Sequence, residues 1–452
     1  MKFLLKQSKE ELTTYSGMAL VGALLAKTNL YKQLSQTNLQ GVVAPDFSHG
    51  DITFSYIGLL CQGKNDFDSI EEFRKDKFFR KALHVYRSPS SPTLRQRLDV
   101  GATHPDWMNI IAEESIYLLK TVKAPLTPID ITRENDDGTQ EKHYYIPIDC
   151  DVSPFDNSKT KKEGVSRTYK NFDGYAPMFA YIGVEGYSLH TELRAGSDHC
   201  QKGTPDFLQK ALRYAKQLTN DPTLVRMDSG NDSGDNLALF LKEETKTDFI
   251  VKRNPRREGC ERWLQLAKAE GICENPRLGK TVYWGATTLA KKGVEQSIRV
   301  AYCVTERTIL KTGQILLIPE VEVESYWTSL PDSPKTIANL YHQHGTSEQF
   351  HSEIKTDMGL ERFPSGKFAT NALILQLTML AYNILRIIGQ RLAEQITSPL
   401  KKKAFRRRIK TVIQTMITFA SRLVYHARRY YLHFGKDNPW FATFQAIYTT
   451  LT

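Results

Sequence analysis

Apolar residues recur every three or four positions through the first third of the chain, with polar residues between them. The pattern is clear in residues 11–34 and again in Asp68–Leu83, where an Asp-Ser pair followed by two glutamates is typical of a helix start. A Ser/Pro-rich loop then leads into a short basic helix that ends at Leu98. These signals predict a mostly helical domain over residues 1–140.

The pattern changes after residue 140, where β-branched and aromatic residues form short runs. In chain order we predict a strand at Tyr144–Val152, a hairpin at Pro177–Gly196, a helix at Thr204–Leu218, a strand from Thr223 that turns after Asp228, a further helix, and a strand at Asp248–Asn254. Strands that alternate with helices in this way indicate a mixed α/β domain over residues 141–254.

Residues 255–330 contain three β-branched, partly alternating segments, which predict a separate antiparallel insertion. Helical patterns return over residues 331–400, and a basic helical region is expected over residues 401–452. The apolar run Ala369–Ile388 is long enough to cross a membrane, but it contains two Thr, two Asn, one Gln and one Arg. Those polar groups would be costly in lipid, so we expect a buried core helix and no membrane contact.

Positive charge is concentrated near the C-terminus of the 452-residue chain. The net charge is +11, and from Arg386 onward 13 Lys and Arg face two acids, so this segment alone gives 13 − 2 = +11. Such an excess favours a polyanionic partner, most often nucleic acid. The candidate phosphate-binding residues are Lys401, Lys402, Lys403, Arg406, Arg407 and Arg408, with a solvated helix face as the alternative.

The Ser/Pro loop and basic helix at Ser88–Leu98 resemble the turn and second helix of a helix-turn-helix. Arg95 and Arg97 are therefore candidate DNA contacts, and packing against neighbouring helices is the competing interpretation. The six cysteines form no C-x-x-C pair and have no histidine at zinc-site spacing. Reduced cytoplasmic thiols are the simplest interpretation of these cysteines.

Three acidic positions stand where a strand end or a helix could expose them. Asp149 and Asp151 are two residues apart near the end of a predicted strand, so both point to one face. Asp228 follows an apolar strand, and Glu348 lies in the polar segment Tyr341–Lys355. Each acid alone is most simply a cap, a turn residue or a solvated side chain, but the combination is a candidate site.

The segment Tyr341–Lys355 places reactive groups on one face of a predicted helix. At about 100° per residue, His344, Glu348 and Lys355 lie near 300°, 340° and 320° from Tyr341, in a stripe about 60° wide. A helix that only packed on a core would place apolar groups there. Carboxylates from two strand ends and a helix suit hard divalent cations such as Mg²⁺, and two ions about 4 Å apart assist phosphodiester cleavage.

These segments resemble one family, the DDE transposases of bacterial insertion sequences. Tyr341, Glu348 and Lys355 match its Y-x2-R-x3-E-x6-K signature, and the segments around Asp151 and Asp228 resemble its first two acidic motifs. The N-terminal part also resembles the insertion-sequence family numbered thirteen-eighty. The resemblance covers roughly residues 10–400.

The resemblance implies an α/β fold of the ribonuclease-H-like type, a mixed sheet flanked by helices and interrupted by the β-rich insertion, with an all-α N-terminal domain. It implies that Asp151, Asp228 and Glu348 hold two Mg²⁺ or Mn²⁺ ions, with Asp149 as the fallback on the same strand face. Tyr341 and Lys355 would grip the DNA strand near the cleaved phosphate.

Three further residues are relevant to how the DNA strand would be held, namely His344, which departs from the family signature, and two tryptophans. His344 stands where the family signature has Arg, and a histidine near neutral pH is only partly charged, so its grip on phosphate would be weaker. In relatives with the signature, an aromatic residue of the insertion receives a flipped base. Trp284 and Trp327 are the candidates here, and a core or sheet position is the competing interpretation of each.

The resemblance implies a cut-and-paste transposase that binds terminal inverted repeats and performs metal-dependent cleavage and strand transfer through hairpin ends. Its partner would be double-stranded DNA, bound by a homodimer in the bacterial cytoplasm at the nucleoid. Two alternatives stay open: a catalytically inactive DNA-binding relative, and a ribonuclease-H-like nuclease that joins nothing.

Overall fold

The structure is a computed structural model that describes residues 1–42, 46–134, 137–242, 247–256 and 258–452. Its α-helices are α1 (Met18–Leu25), α2 (Leu30–Gln36), α3 (His49–Leu60), α4 (Lys77–Ala82), α5 (Ser91–Gly101), α6 (Trp107–Thr121), α7 (Thr204–Leu218), α8 (Gly234–Phe240), α9 (Cys260–Glu270), α10 (Pro334–His342), α11 (Ser347–Ser352), α12 (Phe368–Glu394), α13 (Ile409–Val412) and α14 (Phe441–Leu451). Tighter 3₁₀ turns lie at Phe67–Phe73, Ser229–Asn231 and Gln343–Thr346, and wider π turns at Glu353–Asp357 and Ile413–Ile417.

The strands are β1 (Glu11–Thr13), β2 (Ile129–Glu134), β3 (Gln140–Val152), β4 (Phe155–Asp156), β5 (Ser166–Arg167), β6 (Asp173–Tyr175), β7 (Met178–Ile182), β8 (Tyr187–Glu192), β9 (Thr223–Met227), β10 (Thr247–Lys252), β11 (Ile272–Arg277), β12 (Lys280–Leu289), β13 (Ile298–Ile309), β14 (Ile315–Thr328), β15 (Ser421–His426) and β16 (Arg429–Phe434).

Ten of these strands form one mixed sheet in the order β11-β12-β13-β14-β10-β9-β3-β7-β8, with β2 also paired to β3. The central strands β3, β9 and β10 are parallel, and the other neighbours are antiparallel. The mixed α/β class predicted from the sequence is confirmed by this large sheet and the helices around it.

Local signals account for several helix bounds. The helix α5 begins after Ser90, whose side chain accepts a hydrogen bond from the backbone N–H of Thr93. The helix α7 spans Thr204–Leu218, the bounds predicted from its amphipathic pattern, and buries Phe207, Leu208 and further apolar residues on one face. Because the polar face stays outside, α7 can cover β8 without exposing apolar surface.

The predicted separate insertion is wrong in one respect, because its strands continue the main sheet. The strand β14 pairs antiparallel with β10, and Trp327 lies opposite Val251. The sequence identifies the strands by their alternation, but alternation does not reveal which strand lies beside which.

The long helix α12 is the buried centre of the helical layer. It packs against α3, α5 and α6 on the N-terminal side and against β8 of the sheet. By length and composition it could cross a membrane, but 94% of its apolar window is buried inside the protein. Its predicted role as a core helix is therefore confirmed.

The C-terminal region is not wholly helical, contrary to the sequence-based expectation. The strands β15 and β16 form a hairpin, and β15 also pairs with β1 near the N-terminus, where Glu11 lies opposite Leu423. The basic residues of this region misled the helix prediction, since exposed cations fit a solvated strand as well as a solvated helix.

One glycine positions the site helix against the sheet. Gly186 turns β7 into β8 with a φ of 72°, a conformation that most side chains disfavour. A Cβ at this position would lie 2.1 Å from Cζ of Phe350, so the α11 ring packs directly on the bare turn. The close approach fixes α11 over the strands that carry the acidic residues.

Candidate active site

Two strand-end carboxylates lie side by side because β3 and β9 are parallel neighbours. Cys150 lies opposite Met227, so the residues that follow, Asp151 and Asp228, leave adjacent strands at one edge of the sheet. The carboxyl ends of parallel strands are the usual ligand position of open α/β sheets. Oδ1 of Asp151 accepts a hydrogen bond from the backbone N–H of Val152 at 2.7 Å. Oδ1 of Asp228 accepts one from the Asn231 amide, also at 2.7 Å.

Asp149, the fallback for the first acidic position, is engaged elsewhere. Nε and Nη2 of Arg226 donate to its two oxygens at 2.7 and 2.8 Å, and Nδ1 of His344 lies 2.9 Å from Oδ1. The carboxylate is 4% exposed. Since both oxygens already have cationic partners, Asp151 rather than Asp149 is the acid available to a ligand.

The polar segment that begins at Tyr341 is not one continuous α-helix, contrary to the sequence-based prediction. The helix α10 ends at His342, a 3₁₀ turn follows, and α11 gives way to a π turn at Glu353–Asp357. The four side chains that the predicted helix would have aligned, those of Tyr341, His344, Glu348 and Lys355, nevertheless line one cavity. This cavity of about 590 Å³ is also lined by Asp151 and Asp228.

Other residues of this cavity were not identified from the sequence, among them Tyr169, Lys170 and His351. Nε2 of His351 lies 3.4 Å from Oδ2 of Asp151, and Nδ1 of the same ring lies 3.2 Å from the Tyr181 hydroxyl. The sequence could have predicted this position, because His351 is three residues after Glu348 and so lies on nearly the same helix face.

The two strand-end acids have opposite pKa shifts. Burial and the neighbouring charge of Asp151 raise the pKa of Asp228. Burial also acts to raise the pKa of Asp151, but His351, His344 and the Val152 N–H outweigh it and leave that pKa lowered. The charge of Asp151 therefore disfavours the ionised form of Asp228.

His344 lines the cavity but is almost fully buried. Burial acts to lower the pKa of its imidazole, but the adjacent Asp149 carboxylate raises it, and the net pKa is above the ordinary value. The ring is 6% exposed. In place of the expected partly charged phosphate grip, the structure has a buried imidazole that is paired with Asp149.

Tyr341 and Lys355 border the cavity with restricted side chains. The Tyr341 ring is half-buried and lies 4.9 Å from the Tyr326 ring, and burial, together with the charges of the strand-end acids, raises the pKa of its hydroxyl. Nζ of Lys355 donates to the Pro154 carbonyl at 2.6 Å and lies 4.9 Å from the Phe155 ring. Burial lowers the pKa of this ammonium group.

The donor chemistry of the cavity fits a hard divalent cation. Asp151 and Asp228 supply carboxylate oxygens whose mutual repulsion a cation would relieve, and Glu348 adds an exposed carboxylate to the same cavity. Within the described ranges, no three or more His, Cys, Asp or Glu residues are grouped closely enough to hold a metal ion. Glu348 therefore lines the same cavity as Asp151 and Asp228 but does not lie close enough to form a three-carboxylate metal site with them.

The two arginines predicted to contact DNA differ in exposure. Arg95 is exposed on α5, and its guanidinium lies 5.4 Å from the Phe67 ring. Arg97 is buried and its guanidinium contacts Nδ1 of His49, so it is not a DNA contact in this structure. A step of two residues along α5 moves the side chain from the exposed to the buried side of the helix, which the basic pattern alone does not reveal.

The basic C-terminal cluster divides in the same way. Lys401, Lys402 and Lys403 are exposed in an irregular loop. Two arginines hold this loop to the site segment, since Arg406 donates to Gln349 and Arg408 forms two hydrogen bonds with Asp357. Arg407 is buried and donates to the Lys402 carbonyl within the loop. The prediction that Arg407 contacts DNA is therefore wrong, while the lysines are placed where DNA could reach them.

The two tryptophans predicted as base contacts, Trp284 and Trp327, differ in exposure. Trp327 is 2% exposed, and its Nε1 donates to Oδ1 of Asp232 at 2.9 Å, so it cannot receive a base. Trp284 is half-buried on β12, and its Nε1 donates to Glu274 at 3.3 Å.

Comparison with solved structures finds a piggyBac transposase synaptic complex with hairpin DNA. It is 10% identical, with a TM-score of 0.42, and the match covers 90% of this chain and 82% of that chain. None of the curated proteins matches the sequence. The family described as Transposase DDE domain group 1 matches residues 3–452, nearly the full length. The chain therefore belongs to the DDE transposase family.

Proposed function

We propose that this protein is an active cut-and-paste DNA transposase of an insertion sequence. It would bind the terminal inverted repeats, cleave phosphodiester bonds and transfer strands, through hairpin ends. The observation that carries the proposal is the meeting of Asp151 and Asp228, from adjacent parallel strands, with Glu348 in one cavity.

The strand order supports a ribonuclease-H-like catalytic domain. Reading from one edge, β8, β7, β3, β9 and β10 are neighbours, and the last three are parallel. Counted along the chain from β3, the first acid ends the first of these strands and the second follows the fourth. This is the placement that the family resemblance implies.

A metal pair completes the proposed chemistry. Asp151, Asp228 and Glu348 would hold two Mg²⁺ or Mn²⁺ ions, which activate an attacking oxygen and stabilise the charge on a leaving oxygen when bound. The protein itself holds Asp151 ionised through His351 and keeps Asp228 buried beside it. Tyr341 and Lys355 would position the DNA backbone at the mouth of the cavity.

The exposed lysines at 401–403 and Arg95 are proposed to contact DNA phosphates outside the cavity. Trp284 remains the candidate for base contact in the β-rich region. We further propose that the protein works as a homodimer on two paired ends, in the cytoplasm of a bacterium.

The decisive experiment is cleavage of a plasmid that carries the DNA flanking this gene, in Mg²⁺, by wild type and Glu348→Gln. We expect excision at the element ends by wild type and a loss of several orders of magnitude in the variant, because a carboxylate of the metal pair is removed. DNA binding should persist in both. Glu295→Gln, which removes an exposed carboxylate elsewhere, is the matched control and should cut like wild type.

The same assay separates the alternatives. Salt-dependent binding without cleavage by either protein would favour an inactive DNA-binding relative. The structural reason for this alternative is that, among the described residues, Glu348 does not form a three-carboxylate metal site with Asp151 and Asp228. Cleavage without joined products would favour a nuclease that lacks strand transfer.

A further inference from the structure

The β15–β16 hairpin presents a basic outer face that the proposed chemistry does not use. Cross-strand pairing places Arg422 opposite His433, Val424 opposite Tyr431 and His426 opposite Arg429, and these pairs share one side because faces alternate every residue. From the first pair to the third this face extends about 14 Å. Between Ser421 and Phe434 the sequence contains no Asp or Glu.

The base of the hairpin is anchored while its tip is exposed. At the base, β15 pairs with β1, and the Phe434 and Phe444 rings lie 5.4 Å apart. Toward the tip, Tyr425, Tyr430 and Tyr431 are 58%, 44% and 42% exposed. The Tyr425 and Tyr430 rings pack on each other at 4.7 Å, and the aromatic surface that stays exposed at the tip is available to a partner.

The turn at the tip holds two ordinary residues in a strained conformation. Ala427 and Arg428 link the strands with φ values of 47° and 62°, a pair of left-handed positions usually filled by Asn and Gly. A turn built for stability alone would not place an arginine there. Because it lies in the turn beyond the last cross-strand pair, Arg428 is at the outermost point of the hairpin.

The cationic groups at the tip lack local compensation. Arg422, nearer the base, forms an ion pair with Glu10 at 2.5 Å. In the portion of the chain that the structure describes, Arg428 and Arg429 have no carboxylate within ion-pair distance. Two uncompensated guanidinium groups beside aromatic rings favour a polyanionic surface as partner.

We propose that this hairpin is a second DNA-contacting element, which binds the phosphates of duplex DNA through Arg428 and Arg429, independently of base sequence. A two-stranded ribbon fits the major groove of B-form DNA, which is about 12 Å wide. Both the element end and target DNA offer this backbone, so the contact would serve either duplex. The inference does not depend on catalysis, since it concerns binding at a surface other than the acidic cavity.

The test is duplex binding by fluorescence anisotropy over a salt series, in EDTA so that cleavage does not interfere. The variant is Arg428→Asn with Arg429→Gln, in which Asn tolerates the left-handed backbone and the fold is retained. The matched control is Lys120→Gln with Lys123→Asn, which removes two exposed cations, one of them at a φ of 49°. Each protein is tested on an element-end duplex and on a scrambled duplex of equal length.

We expect the slope of log K against log salt to become shallower by about 1.8 in the hairpin variant on both duplexes, about 0.9 for each lost phosphate contact. The control should keep the wild-type slope, and so should Ala427→Gly, which relieves strain without removing charge. An unchanged slope, or a loss confined to one duplex, would overturn the proposal. So would a changed sedimentation coefficient with an unchanged slope, since the hairpin would then join protein copies.

The failure of this inference is distinguishable from the failure of the proposed function. If the plasmid is cleaved but the slope is unchanged, only the hairpin inference is wrong. If the slope changes but neither wild type nor Glu348→Gln cleaves, the hairpin binds DNA in a protein that is not an active transposase.

Discussion

Two carboxylates that leave neighbouring strands experience opposite environments. Asp228 is buried and faces the charge of Asp151, so its ionised form is disfavoured in the folded protein. Asp151 has His351 beside it and the Val152 N–H on one oxygen, so its ionised form is favoured. The unfavourable shift at one position and the favourable shift at the other lie at the same cavity, and perturbed carboxylates of this kind are frequent at catalytic sites.

Asp228→Asn should therefore raise the free energy of unfolding at neutral pH, whereas Asp151→Asn should lower it. The raised pKa of Asp228 means that its destabilising effect is present above that pKa and disappears as the pH falls through it. The lowered pKa of Asp151 means that its contribution is present above the ordinary value of 3.8 and is lost as the pH falls through the folded value.

Urea unfolding of the two variants and wild type at neutral and acidic pH measures these differences. Both differences should shrink toward zero in acid, where wild type has lost both charges. Shifts of the same sign at neutral pH would contradict the assigned environments.

The sequence placed Asp151, Asp228 and Glu348 in one site because strand ends and helix spacing can be counted along a chain. The sequence favoured Asp151 and kept Asp149 as the fallback, since strand alternation puts both on the same side of β3. The difference comes from Arg226, which lies opposite Asp149 in the sheet register. Such a partner is known only once the strands are paired.

At the scale of elements, the segment from α10 to the π turn is shaped by its tertiary contacts. The residue that opens the π turn, Glu353, is 2% exposed and bound to Arg386 of α12, which also donates to the Tyr382 hydroxyl at 2.7 Å and the Arg407 carbonyl at 2.9 Å. At the other end of the turn, Asp357 accepts two hydrogen bonds from Arg408. The sequence predicted a helix here, but the changes of helix type follow from these distant partners.

Arg386→Met should lower the free energy of unfolding by about 3–5 kcal/mol, because it leaves the Glu353 carboxylate buried without its cation. Cleavage should fall as well, since the π turn carries Lys355 into the cavity. Urea unfolding and the plasmid assay measure the two effects.

The double variant Glu353→Gln with Arg386→Met is the control for the buried charge. It should recover part of the lost stability, because no uncompensated carboxylate remains. Equal destabilisation of the single and double variants would mean that the packing of Arg386, and not its charge, is what matters.

At the scale of the whole molecule, the two ends of the chain form one small sheet. Thr13 lies opposite Ser421, and Oγ of Ser16 donates to Oγ of Ser421 at 2.6 Å. The sequence did not reveal this pairing, because β1 has only three residues and its partner is more than 400 positions away. Local pattern is informative about elements but not about contacts at that separation.

Deletion of residues 1–13 should lower the free energy of unfolding by about 1–3 kcal/mol and increase self-association, because β15 loses its neighbour and becomes an open edge. Deletion of residues 1–9, which lie outside any element, should have little effect. Thermal unfolding and light scattering compare the two proteins. Equal behaviour of the two deletions would show that β1 adds nothing to stability.

The pairing of β1 with β15 also has a consequence for folding during synthesis. Glu11 pairs with Leu423, so 423 − 11 = 412 residues must be added after the first strand before its partner exists. At about 5–20 residues per second the ribosome needs roughly 20–80 s for that distance. During this interval β1 has no β15 to pair with. The sheet that carries the exposed basic hairpin can therefore form only after β15 and β16 have been synthesised.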